Sequence, residues 1–228
     1  MIKDRFGSRF GRVKITYISN EIFSETNNIY SVWLARDQIS RGMLLLEGDI
    51  LFEKDFISRL LAQHGEENMA VVDKFQSYMN GTVILPEAGM TQRFVLKADQ
   101  AVDFNYGNAL KTVNIYSLNQ SAMENKFLPM LSDYIESGHV NDFYEAVIAD
   151  LVSEGNLALG IYSAEADLWM EVDTIEDLCQ AEDMFSHLYE KDLVLGDGLY
   201  KAGKGRVVKK LAGVMGFIGK SFFSGSPR

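Results

Sequence analysis

Cysteine and proline are scarce in this sequence, with one cysteine and three prolines among 228 residues, and no run of eighteen apolar residues occurs. Cys179 alone cannot form an internal disulfide, which excludes the disulfide-stabilised class of small secreted domains and favours a reducing compartment. The N-terminus also lacks the apolar segment of a signal peptide, so nothing in the sequence requires export or a membrane span. We therefore expect a cytoplasmic protein.

Basic residues are unevenly distributed, and this limits the classes of partner. The net charge is −10, but from Leu199 to Arg228 there are seven basic residues and no acidic one, so the preceding 198 residues carry a charge of −17. Binding to nucleic-acid phosphates needs a basic face, so the acidic body argues against nucleic acid as a partner. Residues 193–228 combine glycines with an apolar stripe on a basic helix, which is compatible with a linker to a further module or with a helix that contacts a membrane surface.

Apolar strands alternate with amphipathic helices through residues 1–192. Strands are predicted at 13–18, 44–46, 69–73, 82–85, 93–96, 111–117, 157–162 and 168–172. Helices are predicted from about 26 to 37, 54 to 63, 121 to 136, 142 to 153 and 173 to 187. The pattern predicts an α/β fold, with a Rossmann-like, mostly parallel sheet, helices on both faces, and a small antiparallel excursion between residues 76 and 108.

Acidic residues end two of the predicted strands. Leu44 to Leu46 predict a strand buried on both faces, and this strand runs into Glu47-Gly48-Asp49. A carboxylate at the carboxyl end of a central parallel strand faces the crevice where such sheets bind ligands, although a simple turn aspartate explains this stretch equally well. Asp173 follows its own apolar strand in the same way. Two carboxylates in one crevice would make an oxygen-rich site for Mg²⁺ carrying a phosphate ligand. Sequence spacing alone does not rank these residues above Asp103, Asp142 and Asp167.

Several polar residues are candidates for substrate binding, each with a structural alternative. Lys111 begins a core strand and could reach a phosphate, or it could be an ordinary strand-end lysine. Asn27 and Asn28 precede a periodic helix, so they could cap it or present their amides to a ligand.

A second group combines aromatic and acidic side chains. Tyr144 and Glu145, together with Trp169, could form an aromatic and anionic pocket for the ammonium group of a small substrate. Core packing is the more common use of aromatic residues such as Phe143 and Tyr144 on a helix face.

Several of these motifs resemble one family. The segments 44–52 and 169–178 resemble the two metal-binding segments of the sugar-phosphate-type nucleotidyltransferases. Within that superfamily the similarity is above all to the CTP:phosphocholine and 2-aminoethylphosphonate cytidylyltransferases. Residues 24–32 resemble their NN-[IF]-Y-S-L segment, and residues 111–116 resemble a strand that some members carry. The resemblance covers about Val13 to Phe185, with the motifs in the same order.

The resemblance implies a Mg²⁺-dependent transfer of CMP from CTP to a phosphorylated amino-alcohol, such as phosphocholine or 2-aminoethylphosphonate, with release of pyrophosphate. A relative that transfers another nucleotide to a sugar phosphate is an alternative. The resemblance assigns the metal to Asp49 and Asp173, a catalytic role to the same two residues and Lys111, and substrate binding to Asn27, Asn28, Tyr144, Glu145, Trp169 and Glu171.

One family feature has no counterpart here. Family members begin with a strand and a Gly-rich loop, G-x-G-[ST]-R, followed by Pro-Lys, and the backbone amides of this loop cradle the triphosphate. Residues 1–12 do not supply that pattern, and Phe6 to Gly11 resembles it only weakly. We therefore expect a sheet that lacks its first strand. The chain would be a fragment, would depend on a partner for the loop, or would be a binding module that has lost catalysis.

Overall fold

The computed structural model of the chain describes residues 2–64, 67–86 and 92–192. The predictions for the basic segment 193–228 lie outside these residues. The described chain divides into two compact units. The first unit contains residues 2–17, 47–57 and 167–192, and the second contains residues 18–46 and the described part of 58–166.

Helices and strands alternate along the described chain. The helices are α1 (Ile2–Phe6), α2 (Asn28–Leu34), α3 (Arg36–Ile39), α4 (Phe56–His64), α5 (Gln120–Ala122), α6 (Leu128–Glu136), α7 (Tyr144–Ser153) and α8 (Ile175–Asp192). The strands are β1 (Arg9–Phe10), β2 (Val13–Lys14), β3 (Gly42–Leu46), β4 (Ile50–Phe52), β5 (Met69–Lys74), β6 (Val83–Pro86), β7 (Gln92–Val95), β8 (Leu110–Asn119), β9 (Gly160–Ser163) and β10 (Trp169–Glu171). A π-helical turn, Met123–Phe127, joins α5 to α6.

The second unit is built on one sheet with β8 at its centre. The strand order is β7-β6-β8-β5-β9, and β3 also pairs with β8. Eight successive residues of β8, from Lys111 to Leu118, are buried, and four of them are polar or charged side chains inside the core. A core cluster that includes Tyr116, Phe127, Leu131 and Ile148 packs the helices against the sheet.

The predicted α/β class, with helices around a central sheet, is confirmed. The directions of the strands differ from the mostly parallel prediction, because among the described residues β5–β9 is the parallel pair and the other pairs are antiparallel. A strand covered on both faces is a continuous apolar run in either direction, so the sequence pattern does not reveal its orientation. The small antiparallel excursion is confirmed as the β6–β7 pair.

Two local predictions need correction. The strand predicted to be buried on both faces, Leu44 to Leu46, is half-buried, and Leu46 is 38% exposed. The strand predicted at 13–18 is limited to β2, which forms a small exposed hairpin with β1. Within the described residues, no helix is long and apolar enough to cross a membrane.

Candidate functional site

The first unit brings Asp49 and Asp173 to one end of a two-stranded ladder. Strands β4 and β10 pair antiparallel, with Glu171 opposite Ile50. The amide of Val172 donates a hydrogen bond to the carbonyl of Asp49, with a length of 3.0 Å, so the ladder continues one step beyond β4. Asp173 follows directly. Asp49 and Asp173, which are 124 positions apart in the sequence, therefore lie at neighbouring rungs of one ladder.

The backbone of Asp173 is fixed by the start of α8. The Asp177 carboxylate oxygen Oδ2 accepts hydrogen bonds from the Asp173 amide (3.2 Å), the Thr174 amide (2.8 Å) and the Thr174 hydroxyl (2.8 Å). In return, the Asp177 amide donates to the Thr174 hydroxyl oxygen at 3.1 Å. This reciprocal pair is a capping box, in which side chains satisfy amides that have no partner inside the helix.

The two carboxylates have the chemistry that Mg²⁺ prefers. Asp49 is half-buried and Asp173 is exposed, so the pair combines a partly shielded carboxylate with a solvent-accessible one. Among the described residues, no group of three or more His, Cys, Asp or Glu side chains forms a preassembled metal site. A Mg²⁺ ion commonly takes one or two carboxylates and completes its shell with substrate phosphates and water, so this pair fits it.

Two further predicted residues, Trp169 and Glu171, also lie on β10. Trp169 is buried opposite Phe52, and Glu171 is half-buried. Tyr144 and Glu145 belong to the second unit, so the pocket that Trp169 was predicted to share with them stays a prediction.

In the second unit, the two asparagines connect α2 to the start of α7. Asn27 is the N-cap of α2, and its side-chain oxygen accepts a hydrogen bond from the Asn28 amide at 2.8 Å. The Asn27 amide donates to the carbonyl of Val140 at 2.9 Å. The side-chain oxygen of Asn28 accepts from the Tyr144 amide at 3.0 Å. The capping prediction is confirmed, and Asn28 also fixes the N-terminus of α7.

A buried polar cluster lies beside this connection. Lys111 is 1% exposed, and its Nζ donates a hydrogen bond to the carbonyl of Thr112 at 2.6 Å. Glu145 is 7% exposed and accepts from the Tyr116 hydroxyl at 2.9 Å. The rings of Tyr116 and Tyr144 meet edge to face, with centroids 5.8 Å apart. Tyr144 is therefore a core residue, which agrees with core packing, the alternative given above to a role in a substrate pocket.

Burial raises the pKa of Glu145, because the charged carboxylate loses its hydration inside the protein. The Tyr116 hydrogen bond, the charge of Lys111 and hydrogen bonds from Thr82 and Thr112 act in the opposite direction and lower that pKa. As a net result, the carboxyl group of Glu145 stays protonated to a higher pH than the carboxyl group of a solvent-exposed glutamate.

Sequence reasoning missed several residues that build these two regions. Asp177 was detectable, since Thr174 and Asp177 have the spacing of a capping box. Thr112 and Tyr116 looked like ordinary strand residues. Asn114 gave no sequence signal for its left-handed backbone, with φ of 57°, where the β5–β8 register shifts.

Comparison with known proteins gives one curated relative and a set of similar folds. No protein-family model matches the chain. The chain is 31% identical over 195 residues to CMP-5'-(3-aminopropyl)phosphonate synthase of Streptomyces rubellomurinus. That match covers 85% of this chain and 31% of the relative, so the chain spans about a third of the length of the curated protein.

Two solved structures show the fold. A proposed glucose-1-phosphate thymidylyltransferase of Bacillus anthracis matches with a TM-score of 0.60 and 14% identity, covering 86% of this chain and 73% of that one. The CTP:phosphocholine cytidylyltransferase of Streptococcus pneumoniae matches with a TM-score of 0.57 and 15% identity, covering 81% of this chain and 72% of that one. The chain therefore has the fold of the sugar-phosphate-type nucleotidyltransferases, as the sequence resemblance predicted.

Proposed function

We propose that this protein is a Mg²⁺-dependent cytidylyltransferase that transfers CMP from CTP to a small phosphonate or phosphate bearing an amino group. The observation that carries the proposal is the β4–β10 ladder, which brings Asp49 and Asp173 to one end of a sheet. The curated relative, named as a synthase of a CMP-aminopropylphosphonate, supports the choice of nucleotide and of acceptor class.

The proposed reaction is a single displacement at phosphorus. An oxygen of the acceptor phosphonate or phosphate forms a bond to the α-phosphorus of CTP, and the bond from that phosphorus to the bridging oxygen of pyrophosphate breaks. Asp49 and Asp173 would hold Mg²⁺, which neutralises phosphate charge and orients the reacting groups when bound. Transfer of this kind depends on positioning and charge, so it needs no covalent enzyme intermediate.

The acceptor would bind near the start of α7. Asn28 contacts the first residue of this helix, and the carboxyl group of Glu145 lies one residue further on. A carboxyl group suits the amino end of an amino-phosphonate, and contact of the acceptor with Glu145 stays a prediction. Lys111 supplies positive charge in this region. A direct contact between Lys111 and the acceptor stays a prediction.

Pyrophosphate release is the experiment that tests this proposal. The protein is incubated with Mg²⁺, each nucleoside triphosphate, and one of 3-aminopropylphosphonate, 2-aminoethylphosphonate or phosphocholine, and the nucleotide product is identified by mass. We expect release that requires CTP, Mg²⁺ and an amino-bearing acceptor together. Release with dTTP and glucose 1-phosphate instead would favour a sugar-phosphate nucleotidyltransferase. Acceptor binding without any release would indicate a binding module and would contradict the proposal.

A further inference from the structure

Gly81 lies against the ammonium group of Lys111. A Cβ atom at position 81 would come within 3.2 Å of Lys111 Nζ and 3.3 Å of its Cε. Gly81 also has a φ of +106°, a conformation that side chains other than glycine rarely adopt. The backbone conformation therefore favours glycine at this position, and an added side chain would press on the end of Lys111.

The backbone of Gly81 is held from its other side. The Gln100 side-chain amide donates hydrogen bonds to the carbonyl of Gly81 at 2.8 Å and to the carbonyl of Val95 at 3.1 Å. Gln100 is in turn oriented by the Tyr106 hydroxyl, which donates to its Oε1 at 2.9 Å. Because Gly81 is anchored in this way, an added methyl group would displace Lys111 more readily than the loop.

Lys111 links this loop to the start of α7. Its Nζ donates to the carbonyl of Thr112 on β8 at 2.6 Å, and Tyr116 on the same strand donates to Glu145, the second residue of α7, at 2.9 Å. The first residue of the helix, Tyr144, is bound through its amide by Asn28. A shift of Lys111 would therefore change the charge environment of Glu145, at the helix end that we propose for acceptor binding.

We propose that Gly81 is a positioning residue. Together with Gln100, it holds Lys111 in the position relative to Glu145 that acceptor binding requires. This inference rests on the proposed function, since the effect it predicts is on the acceptor. Gly81 itself need not contact the acceptor, because it acts through Lys111.

The test compares Gly81→Ala with Gly155→Ala. Gly155 also has a positive φ, +71°, but a Cβ atom there meets nothing within 4 Å, so the control adds backbone strain without a contact to Lys111. We expect Gly81→Ala to raise the acceptor KM about tenfold and to leave the CTP KM unchanged, since small misplacements of binding groups can cost up to roughly 10²-fold. Gly155→Ala should leave both KM values unchanged. Equal acceptor KM values in the two variants would overturn the inference.

A second variant covers the case in which Gly81→Ala does not fold. Gln100→Leu removes the anchor of Gly81 without adding a group beside Lys111. We expect a smaller rise in the acceptor KM, again with no change for CTP. A rise of the same size for both substrates would point to general destabilisation and would contradict the inference.

A stability cycle separates this inference from the proposed function. Gly81→Ala is measured by urea unfolding in the wild-type background and in the Lys111→Met background, where the end of the side chain is uncharged and shorter. We expect a smaller loss of stability in the Met background, because the methyl group then meets a more adaptable neighbour. Equal losses would show that Gly81 does not act through Lys111, whether or not the protein transfers CMP.

Discussion

The two regions that carry the candidate residues place charge in opposite environments. On the β4–β10 ladder, Asp173 is exposed and Asp49 is half-buried. In the β8–α7 region, Lys111 and Glu145 are both buried, and hydroxyl groups surround the carboxyl of Glu145. An exposed charge costs little on folding, whereas a buried charge is tolerated only with partners.

This difference separates the expected consequences of mutation. Changes to the ladder carboxylates should alter activity with little effect on the free energy of unfolding. Changes to Lys111 and Glu145 should alter both, because these polar groups are part of the core.

The largest expected effect is on catalysis by the ladder carboxylates. Asp49→Asn and Asp173→Asn should each lower Mg²⁺-dependent transfer by about 10²-fold or more, since metal-assisted charge stabilisation is worth several kcal/mol. Urea unfolding should show little change in stability. Asp103→Asn, at an exposed position, is the matched control and should retain activity. Full activity in either ladder variant would remove that residue from the metal site.

The next effect is on the stability of the second unit. Lys111→Met or Glu145→Gln should each lower the free energy of unfolding by about 1–3 kcal/mol, because each change removes a hydrogen-bonding or charged partner from a buried polar group. The double variant should lose less than the sum of the two single losses. Additive losses in denaturant unfolding would show that the two groups are not coupled.

A smaller effect is expected at the start of α8. Thr174→Ala removes the capping hydroxyl and should cost about 1 kcal/mol of stability. Thr174→Ser keeps the hydroxyl and should restore most of that loss. If both variants unfold at the same urea concentration, the capping box does not stabilise the helix.

The smallest effect concerns pH. The folded state raises the pKa of Glu145, so in the range above its ordinary value of 4.5 the folded protein binds this proton more tightly than the unfolded chain does. The contribution of Glu145 to stability is therefore largest at low pH and falls as pH rises through the raised pKa. The unfolding free energy of the wild type minus that of Glu145→Gln should fall with pH in urea titrations. A difference that rises with pH would contradict the assigned direction.

The sequence predicted the helices and strands better than the directions in which the strands pair. The acidic ends of the strands before Asp49 and Asp173 were visible, because apolar runs stop abruptly there. The alternation of strands and helices likewise predicted the α/β class. Strand direction was not visible, because a strand covered on both faces has the same apolar pattern in either orientation.

The buried cluster was harder to predict because it depends on contacts between distant segments. Gly81 and Lys111 are thirty positions apart, and only the fold brings the glycine against the ammonium group. The left-handed conformation of Asn114 likewise follows from a register shift between two strands, which local propensity does not encode. Glu145 was predicted as a substrate ligand, but its burial and its hydrogen bond to Tyr116 required the structure.

The central claim is that Asp49 and Asp173 hold one divalent cation together. Isothermal titration of Mg²⁺ into the protein with saturating CTP measures this directly. We expect one Mg²⁺-dependent binding event in the wild type, strong weakening in Asp49→Asn and in Asp173→Asn, and no further weakening in the double variant. Unchanged Mg²⁺ affinity in either single variant, or independent losses that add in the double variant, would contradict a shared site.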